Sequence, residues 1–129
     1  MKLKVISSKK VLVDFDSVKS VSIPAVDGRI QILPGHMSLV SSLGMGDLRF
    51  SKDGKEEILL LNGGFAVVKQ DEVLILADDA DHPAELIAQE IEESIENAQK
   101  QIENVTSPAE LIQLEKQLKY EKFKKDRLL

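Results

Sequence analysis

The side chains able to do chemistry in this chain are few and scattered. Two histidines, His36 and His82, lie far apart and offer no ligand spacing such as HxxxH, and cysteine is absent. That removes disulfides, thiolate metal sites and cysteine nucleophiles, and no metal site is expected. No GxSxG, Walker loop or HExxH occurs. Gly63-Gly64 is too short to cradle a phosphate and suits a turn. Asp78, Asp79 and Asp81 cluster where a strand pattern gives way to a helical one, and read as a solvated linker and helix start. His36 follows a Pro-Gly pair, which suits an exposed contact or a satisfied loop histidine better than a base. No residue is expected to be catalytic. The groups worth following are therefore those that could meet a partner: the segment Ile23 to Gly44 and a basic run near the end.

The elements that position them fall into two regions. Up to about Ala77 the dominant period is two, in short pieces rich in Val, Ile, Leu and Phe. Leu3 and Val5 alternate with lysines, and Val11, Val13 and Phe15 alternate with other residues. Further pieces run from Asp47 to Phe50, Glu57 to Leu61, Phe65 to Lys69 and Glu72 to Ala77. Lys52-Asp53-Gly54-Lys55 is a strong hairpin signal, because Asp-Gly accepts positive φ. Pro34-Gly35 fixes another tight turn. Asn62-Gly63-Gly64 reads as a break and Gln70-Asp71 as the last turn. About eight to ten short strands with no helical pattern between them predict a β-sandwich or flattened barrel over residues 1–81.

From residue 82 to 129 the period becomes helical. Ile91, Ile95, Ala98, Ile102 and Val105 share one face. Asp81 or His82 can cap that helix, with Pro83 in its first turn and Glu85 in support. Ser107-Pro108-Ala109-Glu110 has the form of a capping box, and Leu111, Leu114 and Leu118 follow it. The short connection between them requires an antiparallel helical hairpin. So the predicted fold is mainly β plus α, a sandwich followed by a hairpin.

That hairpin is thinly apolar, so it relies on other surfaces for stability. Residues 84–104 carry six acids against Lys100, whereas residues 108–129 carry six bases against four acids. Such asymmetry suits complementary solvated faces and helix dipoles. The sharper alternative is that the basic end, which includes Lys119, Lys122, Lys124, Lys125 and Arg127, docks on an acidic partner. The net charge of −5 and the scarcity of aromatic residues argue against nucleic-acid binding. No run approaches the roughly 18 apolar residues of a membrane span, and the N-terminus lacks a signal-peptide core.

The order of several motifs resembles the epsilon subunit of rotary ATP synthases. Ile23-Pro24, Gly28, Ile32-Leu33-Pro34-Gly35-His36 and Leu43-Gly44 are similar to its central signature. Asn62-Gly63-Gly64-Phe65 and Val73 to Asp78 are similar to later elements, so the likeness covers nearly the whole chain. The resemblance implies a non-catalytic rotor subunit of the central stalk, without a cofactor. Its implied partners are the gamma subunit, the ring of membrane-embedded c subunits and the alpha/beta catalytic subunits. It would help couple proton or sodium flow to ATP synthesis. It would lie peripherally at the cytoplasmic face of a bacterial cell membrane, ahead of a plastid thylakoid. The loop of Gly28, Arg29 and Ile30 would face the ring, His36 would lie near gamma, and Pro34-Gly35 would be a structural turn. The hairpin would be a regulatory element able to inhibit ATP hydrolysis, with the basic residues named above facing the beta subunits.

Two departures qualify the likeness. Many bacterial members carry an Ile/Leu-Asp-x-x-Arg-Ala pattern for sensing ATP, where this chain has Leu86-Ile87-Ala88-Gln89-Glu90-Ile91. Ile87 stands for the aspartate and Glu90 for the arginine, so no ATP-binding residues are expected. Gln31 stands where the family usually has glycine. The alternative from another class is a free-standing adaptor of the same architecture, unconnected with a rotor.

Overall fold

A computed structural model describes residues 1–8, 10–35 and 38–128. The chain divides into two compact units, Met1–His82 and Pro83–Leu129.

The first unit is a seven-stranded sheet: β1 (Lys2–Ser7), β2 (Lys10–Phe15), β3 (Ser20–Ala25), β4 (Gly28–Ile32), β5 (Leu39–Lys52), β6 (Lys55–Lys69) and β7 (Glu72–Asp81). The spatial order is β2-β1-β7-β6-β5-β3-β4, with β1 and β7 parallel and the other neighbours antiparallel. Val13 from one edge strand and Ile32 from the other belong to a single buried cluster with Leu3, Ile23, Leu48 and Ile75. The sheet therefore folds over on itself and encloses its core as a sandwich.

Seven strands replace the eight to ten expected, because β5 and β6 each run unbroken through both layers. Asn62-Gly63-Gly64 does not end a strand: Asn62 pairs with Met45 and Gly64 with Leu43 in the same register as the rest of the ladder. Glycine is needed there for φ of 73° at Gly63 and 119° at Gly64. Leu60 is buried as well, but the residues of the core cluster shift parity across this stretch, from Leu59 and Leu61 to Ala66 and Val68. On β5 it shifts from Leu43 to Leu48 and Phe50. A strand that passes from one layer to the other must make that change to keep its apolar side inward. Asp53 and Gly54 take positive φ in the β5–β6 turn, as the Asp-Gly pair predicts, and Asp71 does so before β7.

The second unit begins with a 3₁₀ turn at Pro83–Glu85, followed by α1 (Ala88–Asn104) and α2 (Pro108–Asp126). Neither Asp81 nor His82 caps α1. β7 extends to Asp81, which pairs with Leu60, and His82 Nε2 lies 3.3 Å from the Leu12 carbonyl. The N-cap of α1 is instead Ile87, with no side-chain bond. Ser107 is the N-cap of α2 with Pro108 beside it, but its hydroxyl makes no capping bond. Backbone Leu111 N–H to Ser107 C=O, at 3.0 Å, closes the first turn. Ile91, Ile95 and Ala98 are buried as their spacing requires. Lys125 near the end of α2 pairs with Glu92 near the start of α1 at 2.6 Å, which fixes the helices as antiparallel.

Candidate interaction surfaces

Inward alternation on β1 and β7 buries Leu3, Val5, Val73 and Ile75, so Ile6, Leu74 and Leu76 point out. Register then assembles a cross-strand apolar row. Val11 on β2 lies opposite Ile6, Ile6 opposite Leu76, and Leu76 opposite Phe65 on β6. A second outward row joins Leu74, Val67 and Val40. Phe65 is 55% exposed and Val40 71%, with Val11 and Leu76 also exposed. Lys2 and Glu72, an ion pair at 3.9 Å, and Lys69 extend the same face as a charged margin. Side chains on neighbouring strands stand about 5 Å apart, so these residues form one contiguous surface. An exposed apolar patch with a polar rim is the usual signature of a protein-binding face.

The second surface is the β3–β4 hairpin tip, Val26 to Gly28. Gly28 is exposed with φ of 130°, and Val26 is exposed with its N–H donated to Ser42 C=O at 3.0 Å. Arg29 does not extend freely into solvent. Its Nη2 donates to Asp47 C=O at 2.7 Å, and its Nη1 to Ser22 Oγ at 2.9 Å and Ser22 C=O at 3.4 Å. Ile30 is half-buried against the core. Pro34-Gly35 forms a turn with Gly35 at φ of 82°. His36 lies outside the described residues.

The basic end of α2 separates into two groups. Lys119 and Lys122 are exposed. Lys124 bonds Glu121 at 3.0 Å and lies 5.0 Å from the Tyr120 ring centre, and Arg127 lies over Phe123. Lys125 is held by Glu92, whose hydrogen bond and charge together raise the lysine pKa above its ordinary value. Residues 111, 114, 118, 121 and 125 share one face by spacing, and the Lys125–Glu92 pair turns that face toward α1. Glu121 interrupts this apolar stripe. It is buried, and its Oε2 has no hydrogen-bond partner.

A groove of about 650 Å³ opens near the loop of the hairpin, with Asn104, Val105, Ala109 and Leu114 in its walls, and Lys100 and Glu110 as its charged lining. None of Leu86 to Ile91 lines it. Asp78, Asp79 and Asp81 lie within β7 and not in a linker, and Asp79 accepts from Asn62 Nδ2 at 3.2 Å. Among the described residues no group of three His, Asp or Glu side chains is placed to hold a metal. No described helix is long and apolar enough to cross a membrane. What these surfaces offer is contact.

Sequence reasoning missed the apolar face and the engagement of Arg29. The first had a signal, since Val40, Phe65, Val67, Leu74 and Leu76 are all large and apolar, but their direction depends on register.

Residues 1–83 match the family model described as ATP synthase, Delta/Epsilon chain, beta-sandwich domain. The chain is 37% identical over 120 residues to the ATP synthase epsilon chain of Dichelobacter nodosus, covering 92% of this chain and 81% of that one. It is 35% identical over 102 residues to the epsilon chain of Carboxydothermus hydrogenoformans, covering 79% and 75%. The fold is shared with a chain of the Euglena gracilis mitochondrial ATP synthase OSCP/F1/c-ring assembly, solved by cryo-EM. There the TM-score is 0.70 at 24% identity, over 93% of this chain and 76% of that one. With sandwich, hairpin and sequence in agreement, the chain belongs to the ATP synthase delta/epsilon chain family, as an epsilon subunit.

Proposed function

We propose that this subunit works in the central stalk, coupling rotation of a c-ring to the catalytic alpha/beta subunits while doing no chemistry itself. The observation that carries the reading is the apolar face built from Val11, Phe65, Leu76 and Val40. Leaving such a surface in water is costly unless a partner covers it, and the gamma subunit is its proposed occupant. The β3–β4 tip, with Gly28, Arg29 and Ile30, is the proposed ring-facing element. A tip held by hydrogen bonds on two sides resists deflection, which torque transfer requires. The Pro34-Gly35 turn is proposed to hold the following segment, including His36, near gamma. The subunit is then peripheral to the membrane, on the cytoplasmic face of a bacterial cell.

The 1–81 region is proposed as the coupling part and 82–129 as a regulatory hairpin that inhibits ATP hydrolysis. Its two helices meet through an apolar stripe that contains a buried glutamate, so their association is weak enough for a partner to shift. Lys119 and Lys122, exposed on α2, are the foremost contacts for acidic beta-subunit surface. Lys124, Lys125 and Arg127 join them only after leaving their partners within the hairpin. The reading excludes ATP sensing. A phosphate would need a cation where Glu90 stands, and calorimetry on the isolated chain should detect no micromolar ATP binding. The stalk assignment is tested by mixing the purified chain with the gamma subunit of the same cell. A stable one-to-one complex is expected, and its absence would sink the assignment.

A further inference from the structure

The ladder between β3 and β5 is broken where the β3–β4 tip begins. Ser22 pairs with Arg49, but the next pair is Ala25 with Leu43, so three steps along β3 span six along β5. Two features force the gap. Pro24 has no N–H to donate, and its ring lies so close to Gly46 that a Cβ there would sit 2.8 Å from Pro24 Cβ. Asp47 lies on β5 within this gap, between the Ser22–Arg49 pair and the Ala25–Leu43 pair at the base of the tip.

Arg29 occupies that gap. Its backbone lies on β4 opposite Pro24, and its side chain crosses β3 to reach β5. One guanidinium nitrogen takes Asp47 C=O at 2.7 Å while the other takes Ser22 Oγ at 2.9 Å. Both bonds are charge-assisted and share a rigid planar fork. On the far side of the gap, Val26 N–H to Ser42 C=O restores the link between the strands. The tip is thus held at two points, and one of them is a side chain.

We propose that Arg29 is a positioning residue, a staple across the interrupted β3–β5 ladder that fixes the β3–β4 tip, and that the tip presents Val26 and Asp27 rather than the arginine. The proposal rests on the ring-facing reading of that tip. Arg29 is exposed, but both of its Nη nitrogens already donate within the sheet, so a partner carboxylate could take the terminal fork only by displacing those bonds. What the partner meets is the exposed Val26 side chain and the turn carrying Gly28, held at a fixed height above the sheet.

Amide hydrogen exchange on the full chain reads the staple directly. In Arg29→Gln, exchange at Val26 and along β4 should rise about tenfold, less than two buried charge-assisted bonds would give because the arginine is exposed, while Val5 and Ile75 change little. Arg29→Lys should recover part of the protection, because an ammonium can serve one acceptor well but not both. Ser22→Ala removes one acceptor without touching the arginine and should produce a smaller rise at the same amides. If Arg29→Gln does not fold, Ser22→Ala decides the matter. Exchange at Val26 and β4 that stays at the wild-type rate overturns the staple. The same variants, assembled into the ATP synthase in sealed vesicles, should pump fewer coupling ions, protons or sodium, per ATP hydrolysed, in the order of their exchange rates. Faster exchange with an unchanged pumping ratio keeps the staple as a feature of the sheet. It overturns the ring-facing reading and the positioning role with it.

Discussion

Truncating Phe65 should weaken binding to the gamma subunit without unfolding the chain. Phe65 stands on β6 between Ser42 and Leu76 and is 55% exposed. On a side chain of about 200 Å², that leaves about 110 Å² for a partner to cover. At about 25 cal/mol per Å² the ceiling is about 2.7 kcal/mol. Association returns only part of such a sum, since ordering and imperfect polar pairing oppose it. Phe65→Ala should therefore raise the Kd for gamma by about 5- to 30-fold, most of it in the dissociation rate. Ile58, an exposed residue on the other half of the same strand, is the matched control, and Ile58→Ala should change the Kd by less than about twofold. Calorimetry at fixed salt reads both, and circular dichroism checks the fold of each variant. A Phe65→Ala chain that binds gamma as tightly as wild type would refute the assignment of this face.

Three further outcomes follow from the packing. Gly64→Ala should destabilise the sandwich by about 4 kcal/mol or more. Its Cβ would overlap the Leu76 carbonyl oxygen and sit 2.8 Å from Ala77 Cα, at φ of 119°; a denaturation midpoint near wild type would show that β7 can give way. Glu121→Leu should stabilise the hairpin by about 1 kcal/mol, because a buried unpaired acceptor costs about 1–3 kcal/mol and leucine completes the stripe. Loss of helix stability would mean instead that the bond to Lys124 outweighs the orphaned oxygen. Removing residues 108–129 should raise ATP hydrolysis by the assembled enzyme, and an unchanged rate would reject the inhibitory role.

Much of the architecture was legible because periods of two and of 3.6 report directly on burial. The β5–β6 turn was legible too, since few residues other than the Asp53-Gly54 pair tolerate its backbone. What failed did so where long-range geometry overrides local signals. Gly63-Gly64 reads as an end, yet the positive φ it supplies lets one strand bend between two layers. Val11 and Val13 read as one face, but the register of β1 and β2 shifts between Val5 and Ile6. That shift turns Val11 outward while Val13 stays buried, and so an interaction face appears that alternation alone would place in the core. The helix starts show the same limit, because Asp81 is claimed by β7 before it can cap anything. Arg29 is the clearest case among the site residues. Its type and place suggest a contact, and the gap between β3 and β5 accounts for the side chain lying along the exposed side of the sheet to reach Ser22 and Asp47.

The central claim is that this subunit couples rotation to catalysis through contact surfaces alone. It is tested most directly by adding the purified chain to vesicles containing its own ATP synthase stripped of the epsilon subunit, and measuring ATP-driven pumping of the coupling ion, proton or sodium. The account predicts that pumping per ATP hydrolysed returns to the level of the intact enzyme. Pumping that stays at the level of the stripped enzyme, with the chain folded and in excess, would contradict it.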